Sequence, residues 1–359
     1  MTSHHEKVMP TSASVSLMDW NCLPTCIGSL PHLRPNQAVD VALRHVKHIP
    51  YWPQLPAIGF EENMYAQFAT HLPGVDIDAH AKRISVDLEA YDPERFYEAV
   101  LGEDFNYFEY PRTCFHGLYE LLEERELPKE ALFLKGQVTG PVSMGLQVFD
   151  QNGKSAIYDE SYSEIIRMNL NMMMRHQEYM LREKHPNTII FLDEPSLSLI
   201  GTPFAAVSRE HVIQWIDEVL QGVKSVKALH CCGNTDWPMV LSTKIDVLSF
   251  DAYNYGYTVG LYPDDVARFL ERGGSIAWGI VPNDEEALKM ETPASLVEKL
   301  EREMFNLSSR GISIDLVQRS SLITPQCGLG SLNDESSVDK ALHLLVGTSE
   351  AMRARHSLG

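Results

Sequence analysis

The sequence predicts an α/β fold, specifically a single (β/α)8 TIM barrel. Short apolar runs typical of buried strands alternate along the chain with longer segments of helical spacing. Strands that alternate with helices form parallel βαβ units, and the eight strands counted here favour a closed barrel. The 359 residues fit one large barrel or two average domains, and 44% hydrophobic residues supply a full-sized core. A doubly wound open sheet is the alternative, although no Gly-x-Gly-x-x-Gly motif follows the first strand.

The predicted elements begin after a polar N-terminal extension, residues 1–20, and the barrel domain covers residues 21–359. The first half contains an apolar strand at 23–30, a helix at 35–47 with regularly spaced Ala and Val, a strand at 49–55, and a helix at 61–72 that Pro73-Gly74 ends. Residues 75–130 are less regular, with a possible strand at 84–91 and helical patches at 93–102 and 114–127. We interpret them as an elaboration between strands 2 and 3.

The alternation is clearest from residue 131 onward. The predicted strands cover 132–138, 188–192, 226–230, 247–251, 275–281 and 321–325, each an apolar run that ends at a turn signal or a polar cluster. The predicted helices between and after them cover 163–184, 209–223, 237–243, 263–271, 293–307 and 336–353.

Composition excludes several classes of function. The formal net charge of −19 argues against a nucleic-acid partner, because no basic face could form without a large opposing excess of acid. No apolar run approaches the roughly 18 residues of a membrane span, and no apolar segment follows the N-terminus as in a signal peptide. We therefore expect a cytoplasmic protein without a membrane partner, in which clustered cysteines indicate metal binding or catalysis before disulfides.

The stretch Ala228–Asn234 ends an apolar strand in a cluster of metal ligands, His230-Cys231-Cys232. Residues two apart on a strand share a face, so His230 and Cys232 point together and Cys231 points away. In a barrel, functional residues lie at the C-terminal ends of the strands, and this places Cys327 near the same pair. An imidazole and two thiolates with an open fourth position predict a catalytic zinc site.

Each of these residues alone is readily explained as a core histidine or a buried thiol. Only their occurrence together at strand ends favours a metal site. Asp251, at the end of the next strand, is a candidate oxygen ligand, or a hydrogen-bond acceptor for a ligand.

Five motifs resemble those of the cobalamin-independent methionine synthase family, in its catalytic C-terminal barrel, within the uroporphyrinogen decarboxylase-like superfamily. They follow in order along residues 23–330: Ile27-Gly28-Ser29-Leu30-Pro31, Lys135-Gly136-x-x-Thr139-Gly140-Pro141, Leu192-Asp193-Glu194-Pro195, His230-x-Cys232, and Pro325-x-Cys327-Gly328-Leu329.

The resemblance implies that His230, Cys232 and Cys327 bind Zn2+, with Asp251 where the family has a glutamate. It also implies that Ile27, Gly28 and Ser29 contact the amino-acid part of homocysteine. Asp193, the predicted catalytic residue, would hold the ammonium group of homocysteine. A second carboxylate of the family follows the second strand, where this chain offers Gln54, Glu61 and Glu62; of these, Gln54 is the candidate substrate-binding residue.

The chain also departs from that family in ways that concern the methyl donor. It has room for one barrel, no tryptophan after Thr139-Gly140-Pro141, and no histidine after the seventh strand. It thus resembles a single-barrel "core" methionine synthase. We expect methyl transfer to homocysteine from a methylcorrinoid, either methylcobalamin or a corrinoid methyl-carrier protein as partner, with methyl-folate inactive or nearly so.

Other functions remain open at this point. A methylcorrinoid:thiol methyltransferase could use another acceptor, such as coenzyme M, although Asp193 favours a substrate with an ammonium group. A uroporphyrinogen decarboxylase-like protein is a second alternative. The non-enzymatic alternative is a zinc-binding scaffold that partners a corrinoid protein.

Overall fold

The computed structural model describes residues 19–358, which fold as an α/β protein around a curled, parallel, seven-stranded sheet. In chain order the ten strands are β1 (Leu23–Pro24), β2 (Val75–Asp78), β3 (Arg83–Val86), β4 (Leu134–Thr139), β5 (Val148–Phe149), β6 (Thr188–Asp193), β7 (Val226–Cys231), β8 (Val247–Phe250), β9 (Ser275–Val281) and β10 (Ser321–Pro325). The large sheet has the order β1-β10-β9-β8-β7-β6-β4. The predicted α/β class is confirmed, whereas seven strands, not eight, form the sheet.

Fourteen α-helices occur within the described residues. They are α1 (Pro35–His45), α2 (Met64–Ala69), α3 (Glu94–Leu101), α4 (His116–Glu124), α5 (Pro141–Gln147), α6 (Glu160–Lys184), α7 (Arg209–Val219), α8 (Trp237–Leu241), α9 (Ala252–Val259), α10 (Pro263–Glu271), α11 (Glu285–Met290), α12 (Pro293–Ser308), α13 (Ile314–Arg319) and α14 (Glu335–His356). None of the helices in residues 19–358 is long and apolar enough to cross a membrane.

The predicted second strand, residues 49–55, is not a strand. Its contacts with the sheet are two isolated parallel bridges, Tyr51 to Lys135 on one side and Gln54 to Ser29 on the other. Prolines at positions 50 and 53 explain this, because proline has no N–H to donate to a ladder. The first strand is likewise shortened, to Leu23–Pro24.

Residues 75–130 contribute β2, β3, α3 and α4, and β3 pairs with both β2 and β5 in a separate three-stranded sheet. The sequence analysis missed β2, β5, α5, α9, α11 and α13, which are all short. The predicted extension, residues 1–20, falls largely outside the described residues. Its last residue, Trp20, is buried and donates from Nε1 to Ser275 Oγ at 3.0 Å.

The large sheet separates two hydrophobic clusters. The smaller cluster lines the inner face of the curl and includes Leu23, Ile189, Phe191, Ala228, Val247, Ala277 and Leu322. The larger cluster fills the space between the outer face and the helices and includes Ile190, Leu192, Leu229 and Ile323. Side chains alternate between the two clusters along each strand, as a sheet requires. Continuing the inner face toward the C-terminal strand ends leads to Asp193 on β6 and His230 on β7.

Candidate active site and metal centre

Three potential metal ligands meet at the C-terminal ends of β7 and β10. His230, Cys232 and Cys327 each offer one ligand atom, and these atoms lie within 4.8 Å of one another. His230 lies on β7, Cys232 follows its end, and Cys327 is two residues beyond β10. Cys231 points away into the outer cluster, as the alternation of strand side chains predicts. The structure thus brings together three of the four residues that the sequence predicts as ligands.

The donors in this cluster fit zinc. His230 Nδ1 lies 3.0 Å from Ser249 Oγ, which fixes the ring. His230 Nε2 is buried and makes no hydrogen bond within the described residues. Leaving a buried ring nitrogen unpaired destabilises the folded state by about 1–3 kcal/mol, and a nitrogen in this state beside two sulfurs fits the position of a metal ligand. One imidazole nitrogen and two thiolates are a donor set that tetrahedral zinc accepts.

The two cysteines are electrostatically distinct. A hydrogen bond with Cys327 lowers the pKa of Cys232 to about 4, against the opposing effect of burial, and His230 also lowers it. The same hydrogen bond, together with burial, raises the pKa of Cys327 well above its ordinary value. These opposite shifts favour one thiolate, on Cys232, and one thiol, on Cys327, when no metal is bound. A metal cation would favour the loss of the second proton.

Asp193 reaches the same pocket from the end of β6. It is 6% exposed, and its Oδ1 has no hydrogen-bond partner among the described residues. Burial raises its pKa to about 6, and Lys135 and then His230 oppose this increase. A buried carboxylate with a free oxygen is suited to a cationic group of a ligand.

Lys135 is a component of the site to which the sequence analysis assigned no role. It is fully buried on β4, and its Nζ donates to Ile27 O at 2.6 Å and to Gln137 Oε1 at 3.0 Å. Burial lowers its pKa to about 8, and Asp193 opposes this effect. The signal available in the sequence was a lysine inside an otherwise buried strand, which requires polar partners.

The segment Ile27-Gly28-Ser29 forms one wall of the pocket. Ile27 and Ser29 line it, whereas Gly28 does not. Gly28 has φ +150°, and a Cβ there would lie 2.7 Å from Gln137 Nε2, so a larger residue would displace this turn. Gly28 therefore allows the close approach that presents its two neighbours to the pocket.

Of the two glutamates that follow the predicted second strand, one reaches the pocket. Gln54 and Glu62 both line it, and Glu61 does not. Glu62 is 1% exposed; its Oε1 accepts from His116 N at 3.0 Å and its Oε2 accepts from Gln67 Nε2 at 3.0 Å. Gln54 Nε2 donates to Gln67 Oε1 at 2.8 Å, so Gln67 links the two side chains. The remaining lining residues include Pro56, Asn63, Met64 and Pro195, and the cavity volume is about 180 Å³.

Asp251 lies outside the cluster of three ligands and is not among the lining residues of the pocket. Its carboxylate caps the N-terminus of α9, accepting from Asn254 N at 2.9 Å and from Asn254 Nδ2 at 2.7 Å. Burial raises its pKa, and the nearby Cys232 acts in the same direction. Its role as an oxygen ligand stays a prediction.

The side chain of Glu194 connects the end of β6 with the start of α5, and so connects the motif around Asp193 with the motif around Gly140. Its two carboxylate oxygens accept from Val142 N at 2.8 Å and Ser143 N at 2.9 Å, at the start of α5. A Cβ on Gly140 would lie 2.2 Å from Glu194 Cγ, so only glycine admits this contact. These contacts hold the N-terminus of α5 against the C-terminal end of β6, next to Asp193.

Comparisons with known proteins give a fold-level likeness. A search with family models finds no match, and neither does a search of curated protein sequences. Among solved structures, the chain is similar to a B12-independent methionine synthase from Shewanella sp. W3-18-1 in complex with selenomethionine, with a TM-score of 0.59 and 15% identity over 94% of this chain and 99% of that one. A structure described as a vitamin-B12 independent methionine synthase from Listeria monocytogenes has a TM-score of 0.49 and 13% identity, over 90% of this chain and 85% of that one.

The first of these comparisons supports a shared fold and corrects one expectation. The Shewanella protein is B12-independent by description. The expected methylcorrinoid donor, whether methylcobalamin or a corrinoid carrier protein, is therefore wrong. That expectation was drawn from three absences, a second barrel, a tryptophan and a histidine, and the absence of folate-binding features is no positive sign of a corrinoid site.

Proposed function

We propose that the chain is a zinc-dependent methyltransferase of the methionine synthase type, which methylates the thiol of homocysteine from a donor that is not a corrinoid. The observation that carries this proposal is that His230, Cys232 and Cys327 offer ligand atoms within 4.8 Å of one another. They do so at a pocket that Asp193 also lines, and Asp193 Oδ1 has no hydrogen-bond partner among the described residues. A thiol-activating donor set and a site for an ammonium group thus face one small cavity.

Bound zinc would lower the pKa of the substrate thiol, so that its sulfur is a thiolate at neutral pH. The chain's own residues prepare for this role. Ser249 orients His230 through Nδ1 and leaves Nε2 free for a ligand. The low pKa of Cys232 keeps one sulfur ionised before any cation arrives.

The amino-acid part of homocysteine would lie against Asp193, Glu62 and the Ile27–Ser29 wall. Asp193 Oδ1 has no hydrogen-bond partner in the part of the chain that the structure describes, and Glu62 is the carboxylate that reaches the pocket after residue 54. Two carboxylates around one ammonium group would favour an amino-acid thiol over a thiol without an amine. Lys135 would position Ile27 by donating a hydrogen bond from its Nζ to the Ile27 carbonyl oxygen. As a nearby cation, Lys135 would also help to keep Asp193 ionised.

Residues 21–359 would form one closed (β/α)8 barrel with residues 49–55 in the place of the second strand. Support comes from hydrogen bonds on both sides of this segment: Leu30 N donates to Gln54 O at 2.9 Å, and Lys135 N donates to Pro50 O at 2.8 Å. The segment would therefore fill the gap between β1 and β4 without a regular ladder.

The test is a methyl-transfer assay on zinc-loaded protein, with methionine as the measured product. Homocysteine is supplied with a methylated folate, with methylcobalamin, or with neither. We expect methionine from a non-corrinoid donor and none from methylcobalamin alone. Failure to convert homocysteine with a panel of methyl donors, in protein that retains zinc, would contradict the proposal.

Two variants test the metal site itself, with zinc per chain as the readout. Cys327→Ser removes a thiolate and should lower zinc occupancy and abolish methyl transfer while the chain stays folded. Asp251→Asn keeps a side chain that can cap α9, so it isolates any role as an oxygen ligand. If Asp251 is a ligand or supports one, zinc affinity falls about tenfold or more. Unchanged affinity would leave Asp251 with capping alone.

A further inference from the structure

We propose that His45, Asp339 and His343 form a second site, on the protein surface, for a divalent transition-metal cation such as Zn2+, Co2+ or Ni2+. Each residue offers one ligand atom, and these atoms lie within 4.8 Å of one another. None of the three lines the pocket described above. Two imidazoles and one carboxylate with open positions are a recurring donor set for first-row divalent metals.

The site is built where the first helix packs against the last. His45 is the final residue of α1, whose last turn contacts α14. Asp339 and His343 lie four residues apart on α14 and therefore share one helix face. The imidazole rings of His45 and His343 are 4.5 Å apart between centroids and meet edge to face.

Asp339 lies between the two imidazoles. His45 Nε2 is 2.8 Å from Asp339 Oδ1, and His343 Nδ1 is 2.9 Å from the backbone oxygen of Asp339 and 3.3 Å from its Oδ2. A neutral imidazole moves its proton between ring nitrogens at little cost, so a nitrogen that now faces the carboxylate can become a ligand.

The exposure of the three side chains suits an open surface site. His45 is only 8% exposed and therefore fixed, whereas His343 is 69% exposed, so water can complete the coordination. Arg44 is the competing group, because its Nη1 lies 3.6 Å from Asp339 Oδ1. The Arg44 side chain is 64% exposed and can move into solvent when a cation replaces it.

Cobalt distinguishes this site from the cysteine site in the full-length protein. Cobalt bound to thiolates absorbs strongly through ligand-to-metal charge transfer, whereas cobalt bound to nitrogen and oxygen does not. Chelator-stripped protein is titrated with Co2+, bound cobalt is counted by equilibrium dialysis, and the charge-transfer band is recorded in parallel. The experiment compares four proteins: the unsubstituted chain, His343→Ala, Asp339→Asn and a control, His80→Ala. The control replaces an exposed histidine elsewhere on the surface.

We expect the unsubstituted chain and His80→Ala to bind one more equivalent of Co2+ than His343→Ala and Asp339→Asn. The affinity for this additional Co2+ ion should fall at least about tenfold in both variants. Even the loss of a hydrogen-bond partner of a metal ligand lowers metal affinity by about that factor. The charge-transfer band should be equal in all four proteins. Equal cobalt counts in the unsubstituted chain and the two variants would overturn the proposal. Loss of the band with the extra equivalent retained would count against the cysteine site instead.

Discussion

The inner face of the large sheet is apolar at one end and polar at the other, although the same strands build both ends. On β6 the face passes from Phe191 to Asp193, and on β7 it passes from Ala228 to His230. The apolar end is filled with packed side chains. At the polar end, two buried atoms, Asp193 Oδ1 and His230 Nε2, have no hydrogen-bond partner within residues 19–358. Such atoms cost stability when left unpaired, so the difference indicates that packing determines one end and ligand chemistry the other.

The largest contrast is expected between the two adjacent cysteines. Cys232→Ala should remove zinc and reduce methyl transfer to background, because the sulfur belongs to the ligand cluster. The matched variant Cys231→Ala should keep both, because this sulfur packs in the outer cluster, and it should lose about 1 kcal/mol of stability for the atom deleted. Zinc per chain, turnover and denaturant unfolding provide the measurements. Zinc loss in Cys231→Ala would break the distinction between the two faces.

The apolar end should show the opposite behaviour. Leu322→Ala on β10 removes a fully buried side chain from the inner cluster and should lower the free energy of unfolding by about 2–5 kcal/mol. Zinc stoichiometry of the folded fraction should stay at the unsubstituted value. Chemical denaturation and metal analysis measure the two quantities. A variant of normal stability that has lost zinc would show that the two ends are not separable.

At the polar end, Asp193→Asn should affect binding more than folding. Loss of a charge-assisted hydrogen bond is worth roughly 1.5–3 kcal/mol, so apparent affinity for homocysteine should fall about tenfold or more. A thiol without an amine should be affected much less. Kinetics with both acceptors measure the ratio, and equal losses for the two thiols would assign Asp193 to structure.

The smallest expected effect is a shift in pH dependence. Because burial raises the pKa of Asp193 to about 6, its charge, and with it the ammonium contact, is lost as pH falls through that value. Lys135 lowers this pKa, so Lys135→Met should raise it and move the acidic limb of homocysteine binding to higher pH. The limb is measured as apparent affinity against pH, with the amine-free thiol as reference. An unmoved limb in Lys135→Met would separate Lys135 from the charge of Asp193.

The methyl donor shows where inference from sequence failed. The motifs at strand ends named His230, Cys232 and Cys327, and the structure brings these three residues together, because a site of this kind needs its residues to be present. The donor was inferred from residues that are missing, and a site for a methyl donor can be built from other side chains. The fold-level similarity to a B12-independent enzyme overturned that inference.

Local chemistry in the sequence determined most of the strands and the order of polar groups at their ends. Period-two alternation alone separated Cys232 from Cys231, and the bounds of β9, β10 and α10 were predicted to the residue. These features depend on near neighbours in the chain, so a single sequence contains them.

Only the tertiary structure decided which distant residues meet. It brought Cys327 within reach of His230, selected Glu62 over Glu61 for the pocket, and placed Lys135 against Ile27. It also placed residues 49–55 beside Ser29 and Lys135 through two isolated bridges, in a segment whose prolines prevent a regular strand. Each outcome depends on the curl of the sheet and on side-chain direction. These are properties of the packed whole, and no local pattern in the sequence encodes them.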